Sequence, residues 1–262
     1  VWKHRITAPS ILFSQILKMP FPYKEKVDII AVEGAKHLPY EIPNMQVDFQ
    51  MTKISIPLGW WRSVYDSQNA FANECFMDEL AEKAGKDPVQ FRLDLLPKSS
   101  RDAGVIKMVA EKSSWDQFKN GPNYQGISCH KSFGTWVAQV ARVSVENKKV
   151  KVHEVFCAVD CGIVINPAIV KAQISSAIIY GLSATLKSKI TIKNGRVAQN
   201  NFDDFEVIRM NEAPKIHIYL TESDAQPKGV GEPGLPPIAP AVVNAVYAAT
   251  GKRIRKLPIQ LT

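Results

Sequence analysis

The stretch Val137-Ala138-Gln139-Val140-Ala141-Arg142-Val143-Ser144-Val145, followed by Glu146-Asn147-Lys148-Lys149 and then Val150-Lys151-Val152-His153-Glu154-Val155-Phe156-Cys157-Ala158-Val159, decides the fold class. Both runs are rich in β-branched residues, which fit a pleated, half-buried surface. The polar residues between them read as a hairpin connection. Downstream, Asn166-Pro167 opens a helix that runs to about Leu186, and Asn194-Gly195 marks a second hairpin. Lys215 to Leu220 alternates Ile216, Ile218 and Leu220, as a strand with one buried face does. The Gly- and Pro-rich stretch Pro227 to Pro237 leads into a last helix, whose Ala241, Ala245, Ala248 and Ala249 allow close packing before Gly251.

Upstream, Val27 to Gln50 alternates short apolar stretches with turn residues, and Leu38 to Asn44 reads as an extended connection. Gly59-Trp60-Trp61-Arg62 opens a loop. Ser67 to Ala84 is expected to be helical, with Phe71, Phe76, Leu80 and Ala84 near one face and Gly85 as terminator. In the next helix Asp87 is the cap, Pro88 the first residue, and Gln90 sits where a capping box wants an amide. A polar linker from Pro97 to Gly104, a short helical stretch to about Lys112, and a loop-rich region with Trp115, Gly121 and Pro122 follow. The composition shift near Gly121 divides the chain into residues 1–120 and 121–262. There is no internal repeat, and the class expected is α+β, with mixed helices and antiparallel sheets.

A chain of 262 residues with 45% hydrophobic content can bury a substantial core. Its net charge of +8 comes from lysines scattered end to end, which reads as a basic soluble surface and not as a nucleic-acid footprint. The densest cluster, Lys252 to Lys256, follows a helix, where cations complement the helix dipole; a basic docking edge is the alternative. The apolar run Ile238 to Gly251 is too short to span a bilayer, so no membrane span is expected. Val1-Trp2-Lys3-His4-Arg5 carries no export signal, and the chain reads as a fragment or one product of a split subunit. Cysteines 75, 129, 157 and 161 are too few and irregular for a disulfide framework or a paired zinc site, and no metal ligand is assigned. Cys157 and Cys161 share a face at a strand end, which suits packing.

The segment Gly229-Val230-Gly231-Glu232-Pro233-Gly234-Leu235-Pro236-Pro237 is the most informative for chemistry. Its glycines let backbone approach a ligand and its prolines stiffen the loop, so one carboxylate is mounted just ahead of a helix N-terminus, a setting that favours an anion. Two readings stand on the residues alone: a positioned general base, or a Gly-Pro turn with an incidental acid.

This segment, with Pro236 to Ala245 and Ala249 to Arg255, resembles the C-terminal signature of molybdenum hydroxylase large subunits, specifically the isoquinoline 1-oxidoreductase beta-subunit type of the xanthine dehydrogenase and aldehyde oxidase family. Pro57 to Val64 with Ser67 to Ala72, Asp78 to Ala81 with Gly85 to Pro88, Ser132 to Ala138, and Ala158 to Gly162 with Asn166-Pro167 are similar to the same branch. The resemblance implies that Glu232 is the active-site base and that the Gly59 to Arg62 loop lies beside molybdenum, with Gly59 and Trp61 toward the cofactor and Arg62 and Trp60 toward substrate. Residues alone also allow Trp60 and Trp61 as core or interface aromatics and Arg62 as an ion-pair partner. Gln173, with Gly231, is implied as a contact to the pterin. Ile174-Ser175-Ser176-Ala177 departs from the family, which usually shows an acidic residue and glycine there.

The family's glycine- and glutamine-rich cofactor motifs have no counterpart here, so this chain is expected to hold only part of the cofactor. The resemblance implies molybdopterin, in its cytosine dinucleotide form, with molybdenum. It also implies partners: the remainder of the molybdenum subunit, and an iron–sulfur or haem electron-transfer subunit. The expected reaction is hydroxylation of an aldehyde or N-heterocycle with water; the resemblance favours a periplasmic location, with the cytoplasm as the alternative. A second expectation is a non-catalytic interaction subunit or degenerate fragment docked to a cofactor-bearing chain.

Overall fold

The computed structural model describes residues 1–17, 27–118 and 123–261. Its centre is a four-stranded sheet of β3 (Tyr124–Ser132), β4 (Thr135–Glu146), β5 (Lys149–Asp160) and β8 (Lys215–Leu220), in the order β3-β4-β5-β8. The β4–β5 hairpin closes at Asn147 and Lys148, with φ of 49° and 62°. Two successive positive φ values are what a two-residue turn matched to strand twist requires. The β3–β4 and β4–β5 pairs are antiparallel, whereas β8 lies parallel to β5, with Cys157 opposite Ile218. Two smaller sheets join β1 (Trp2–Ala8) in parallel to β2 (Met45–Met51), and β6 (Ile192–Lys193) to β7 (Arg196–Val197) across Asn194-Gly195. The chain folds as α+β.

Successive side chains of β5 enter opposite cores. Val155, Cys157 and Val159 pack with Ile174, Ile178 and Leu182 of α4 (Pro167–Leu186) and with Ile238 and Val242 of α5 (Ile238–Thr250). Phe156 and Ala158 face Met77 of α1 (Asp66–Lys83), Val89 of α2 (Pro88–Asp94), and Val105, Ile106 and Val109 of α3 (Arg101–Lys112). Burial on both faces explains why β5 is a near-continuous apolar run instead of an alternating one. The second core joins residues from before and after position 120; Gly121 and Pro122 lie outside the described residues.

The helix ends follow their sequence signals. Asp87 accepts from the Val89 and Gln90 amides, Asn166 accepts from Ile169, and Gly251 ends α5 at φ 67°. Other expectations change. Gln90 does not close a capping box, because its amide donates to Asp94 Oδ1 at 2.6 Å. The 97–104 linker is shorter, since Ser100 caps α3 by accepting from the Ala103 amide. On α1 the buried face carries Asn69, Asn73, Glu74, Met77 and Asp78, while Phe76 is exposed. Polar groups are tolerated there because each is bonded: Asn69 and Asn73 donate to the carbonyls of Glu33 and Gly34, and Glu74 pairs with the fully buried Arg92.

Strand β3 was not apparent in the sequence. Its Ser128 and His130 are polar yet buried, held by the Pro237 carbonyl and by Asp66 Oδ1 at 2.8 Å. The basic cluster after α5 reaches back to α1: Arg253 pairs with Asp78 and Glu82, and Arg255 with Glu79, so specific ion pairs outweigh the dipole argument. Finally, α4 is long and apolar enough to cross a bilayer by length and composition, but its Val170, Ile174, Ile178 and Leu182 stripe is packed into the sheet as in a core helix.

Candidate active site

Three segments distant in sequence meet at Glu232: the loop ahead of α1, the middle of α4, and the Gly229 to Pro237 loop. The Glu232 Oε1 accepts the Ser63 amide at 2.8 Å, and the Ser63 hydroxyl donates to the Glu232 carbonyl at 2.8 Å. The N–H that holds the carboxylate therefore comes from Ser63, not from the N-terminus of α5, which begins six residues further on. Leu235 N closes a turn on the Glu232 carbonyl at 3.0 Å, and Pro233 to Ile238 are buried, so the loop is anchored on its C-terminal side.

Arg62 ties the three segments together. Its Nε donates to the Gly231 carbonyl at 2.7 Å, joined there by Nη2. The Nη2 also reaches Gln173 Oε1 at 3.2 Å and the Gln173 carbonyl at 3.3 Å, and Nη1 donates to Ser176 Oγ at 3.0 Å. Four acceptors around one planar fork make this a geometric lock. Ser176, within the Ile174 to Ala177 stretch that departs from the resembled pattern, is thus an acceptor for Arg62. The Gln173 Nε2 makes no hydrogen bond among the described residues, leaving two donors at the exposed surface of α4.

The aromatics of the loop diverge. Trp60 is 51% exposed. Trp61 leans on Tyr180 of α4, ring centroids 5.2 Å apart, and edges an apolar cavity of about 260 Å³ with Phe71, Gly181, Leu235 and Ile238. A separate cavity of about 520 Å³ is lined by Glu33, Asp66, His130 and Trp136 but by none of Arg62, Ser63, Gln173 or Glu232. There, burial first and the neighbouring Asp66 second raise the Glu33 carboxyl above its ordinary range. Convergence of hydrogen bonds, not hollow size, singles out Glu232.

Two bare stretches of backbone flank this lock. A Cβ placed on Gly59 would meet nothing within 4 Å, and one on Gly231 would meet only Gln173 Oε1 at 3.9 Å. Such peptides can be approached closely by a flat ligand. Among the described residues no group of three His, Cys, Asp or Glu could hold a metal ion. The donor set is one for an organic group: amide and backbone donors, with one carboxylate beside them.

Sequence comparison bears directly on this fit. A family profile described as molybdopterin cofactor-binding domain matches residues 64–214, more than half of the chain, and a second profile of the same description matches residues 22–95. The chain belongs to the molybdopterin cofactor-binding family. Relatives of the chain include the beta chain of isoquinoline 1-oxidoreductase from Brevundimonas diminuta, 35% identical over 226 residues, covering 84% of this chain and 29% of the relative. A nicotinate dehydrogenase subunit of Pseudomonas putida is 31% identical over 241 residues, covering 84% of this chain and 20% of the relative. The aldehyde oxidoreductase of Desulfovibrio gigas superposes with a TM-score of 0.76 at 14% identity, over 98% of this chain and 46% of that one, a likeness of fold. The chain spans less than a third of the length of either of the first two relatives.

The structure sorts the site residues expected from sequence. Glu232, Gly231, Gln173 and Arg62 are brought together; Trp61 and Gly59 border them, and Trp60 points to the surface. Ser63 and Tyr180 were missed. Ser63 sits inside the Pro57 to Val64 stretch, but no propensity marks a serine whose backbone N–H holds a distant carboxylate.

Proposed function

We propose that this chain contributes the base-bearing half of the active site of a molybdopterin-dependent hydroxylase acting on an aldehyde or N-heterocycle, with Glu232 as general base. The observation that carries this reading is the clamp on Glu232, in which one carboxylate oxygen is fixed by Ser63 N–H while Oε2 has no hydrogen bond among the described residues. A carboxylate fixed at one oxygen and open at the other is suited to take a proton. Gln173 Nε2 and the peptides of Gly59 and Gly231 would hold the organic part of the cofactor, in the cytosine dinucleotide form. When bound, the cofactor supplies the two-electron redox chemistry, and an iron–sulfur or haem partner carries the electrons onward.

The residues of this chain then have defined tasks. Glu232 Oε2 accepts the proton of a water-derived hydroxyl as its oxygen attacks the electron-poor carbon of the substrate. Arg62 keeps the Gly-Glu-Pro loop and α4 in register; with its donors committed to Gly231, Gln173 and Ser176, it works through them. Trp60 and Trp61 offer flat apolar surface for a substrate ring. A division at about residue 120 separates the Gly-Trp-Trp-Arg loop from the Gly-Glu-Pro loop along the chain, although one core is shared across it.

Replacing Glu232 by Gln in the assembled enzyme should lower turnover about 10²- to 10⁴-fold while molybdenum and pterin content stay near wild type. Full activity in that variant refutes the assignment. Native mass spectrometry with metal analysis distinguishes the reading from a non-catalytic subunit, since a complex without molybdenum or pterin opposes it.

A further inference from the structure

We infer that Ser63 is a positioning residue that aims the Glu232 carboxylate within the polypeptide itself, before any cofactor is bound; the inference rests on the base reading of Glu232 given above. Ser63 and Val64 have φ of 71° and 48°, two successive non-glycine residues in the left-handed region. For a β-branched residue such as Val64 this is a genuine outlier. Strained backbone of this kind persists only where its surroundings over-determine it, and it concentrates at functional sites.

The strain has a visible product. The turn is closed by Val64 N to the Trp61 carbonyl at 2.8 Å and by Asp66 N to the Ser63 carbonyl at 3.0 Å. That closure turns the Ser63 N–H onto Glu232 Oε1 and the Ser63 hydroxyl onto the Glu232 carbonyl, both at 2.8 Å. One residue thus grips both the side chain and the main chain of the base, which fixes the direction of the carboxylate as well as its place. Ser63 is 0% exposed, so its side of both bonds is shielded from water. Arg62, one residue earlier, holds the Gly231 carbonyl and keeps the gripped loop from sliding.

Two measurements test this. In the cofactor-free chain, labelled with nitrogen-15, the Ser63 amide proton should lie downfield and be protected from exchange. Glu232→Ala should move it upfield and speed its exchange. In the assembled enzyme, Ser63→Gly suits the positive φ and keeps the N–H but loses the hydroxyl grip, and Ser63→Ala loses the hydroxyl alone. Both should cut kcat about ten- to a hundredfold per molybdenum-loaded site, with KM unchanged and no loss of Tm in the glycine variant. A merely structural role moves Tm and leaves kcat per loaded site at wild type. The inference is overturned by a Ser63 amide signal indifferent to Glu232→Ala, or by wild-type kcat in both serine variants. Glu232→Gln assayed in parallel separates the two ideas. If it is fully active the base reading itself fails, whereas an inactive Glu232→Gln beside fully active serine variants removes only the role of Ser63.

Discussion

Replacing Arg92 by Met should destabilise the fold by about 3–5 kcal/mol, the cost of leaving a buried charge without its partner. Arg92 is 0% and Glu74 2% exposed in their side chains. The Arg92 Nε donates to Glu74 Oε2 at 3.0 Å, Nη2 to the Glu74 carbonyl at 2.9 Å, and Nη1 to the Pro88 carbonyl at 3.0 Å. Burial would push the Arg92 guanidinium down, but Glu74, Tyr40 and Asp78 together outweigh it and hold the group above its ordinary range. Without Arg92, the carboxylate keeps only two neutral donors, the Tyr40 hydroxyl at 2.7 Å and the Cys129 amide at 3.0 Å. A neutral donor offsets part of the desolvation of an anion but does not replace a charge. At about 2–4 °C per kcal/mol for a chain of this size, Tm should fall by about 10 °C. Urea unfolding followed by circular dichroism measures the loss, and an unchanged m-value shows that the denatured state is not what moved. The double variant Glu74→Gln with Arg92→Met should cost no more than the larger single change, because no uncompensated charge remains. Additive effects, or an Arg92→Met cost under about 1 kcal/mol, would refute the reasoning.

Gly126→Ala should cost about 1–3 kcal/mol or more, since its Cβ would lie 2.2 Å from Ala245 N and 2.3 Å from the Ala241 carbonyl, both backbone of α5. The same change at Gly231 should stay within about 0.5 kcal/mol by the same unfolding assay, its nearest neighbour being 3.9 Å away. Burial raises the Asp160 carboxyl, but the fork of Arg101 and the Gly162 amide more than reverse this and hold it below the usual carboxylate range. A carboxyl depressed in the folded state adds stability above its unfolded value of about 3.9, lost as pH falls through the lower folded value. Asp160→Asn should therefore cost about 2 kcal/mol at pH 7 and flatten the loss of stability below about pH 4, read from urea midpoints across pH.

Much of the fold was legible because its signals are local. Asp87-Pro88, Asn166-Pro167, Asn194-Gly195 and Gly251 encode caps and turns through their own φ preferences and side-chain oxygens, and the structure uses each one. What was not legible depends on partners far along the chain. The burial of Glu74 is stable only with Arg92, that of His130 with Asp66, and that of Ser128 with the Pro237 carbonyl, so periodicity grouped the exposed Phe76 with the core-packed Leu80 and passed over β3. The site divides the same way. Glu232 and Arg62 stand out by motif, but what Arg62 binds, and that a serine amide holds the glutamate, are facts of tertiary geometry.

The grip of Ser63 on Glu232 closes a span of 169 residues. Contacts of that sequence separation carry a large loop-closure entropy and form late, after the local helices and hairpins. The carboxylate is therefore set only when the sheet and α4, which lie between its two anchors along the chain, have assembled. Folding order thus becomes a checkpoint: a nascent or partly unfolded chain exposes the Gly-Glu-Pro loop without an aimed carboxylate, and competence appears in one step with completion of the core.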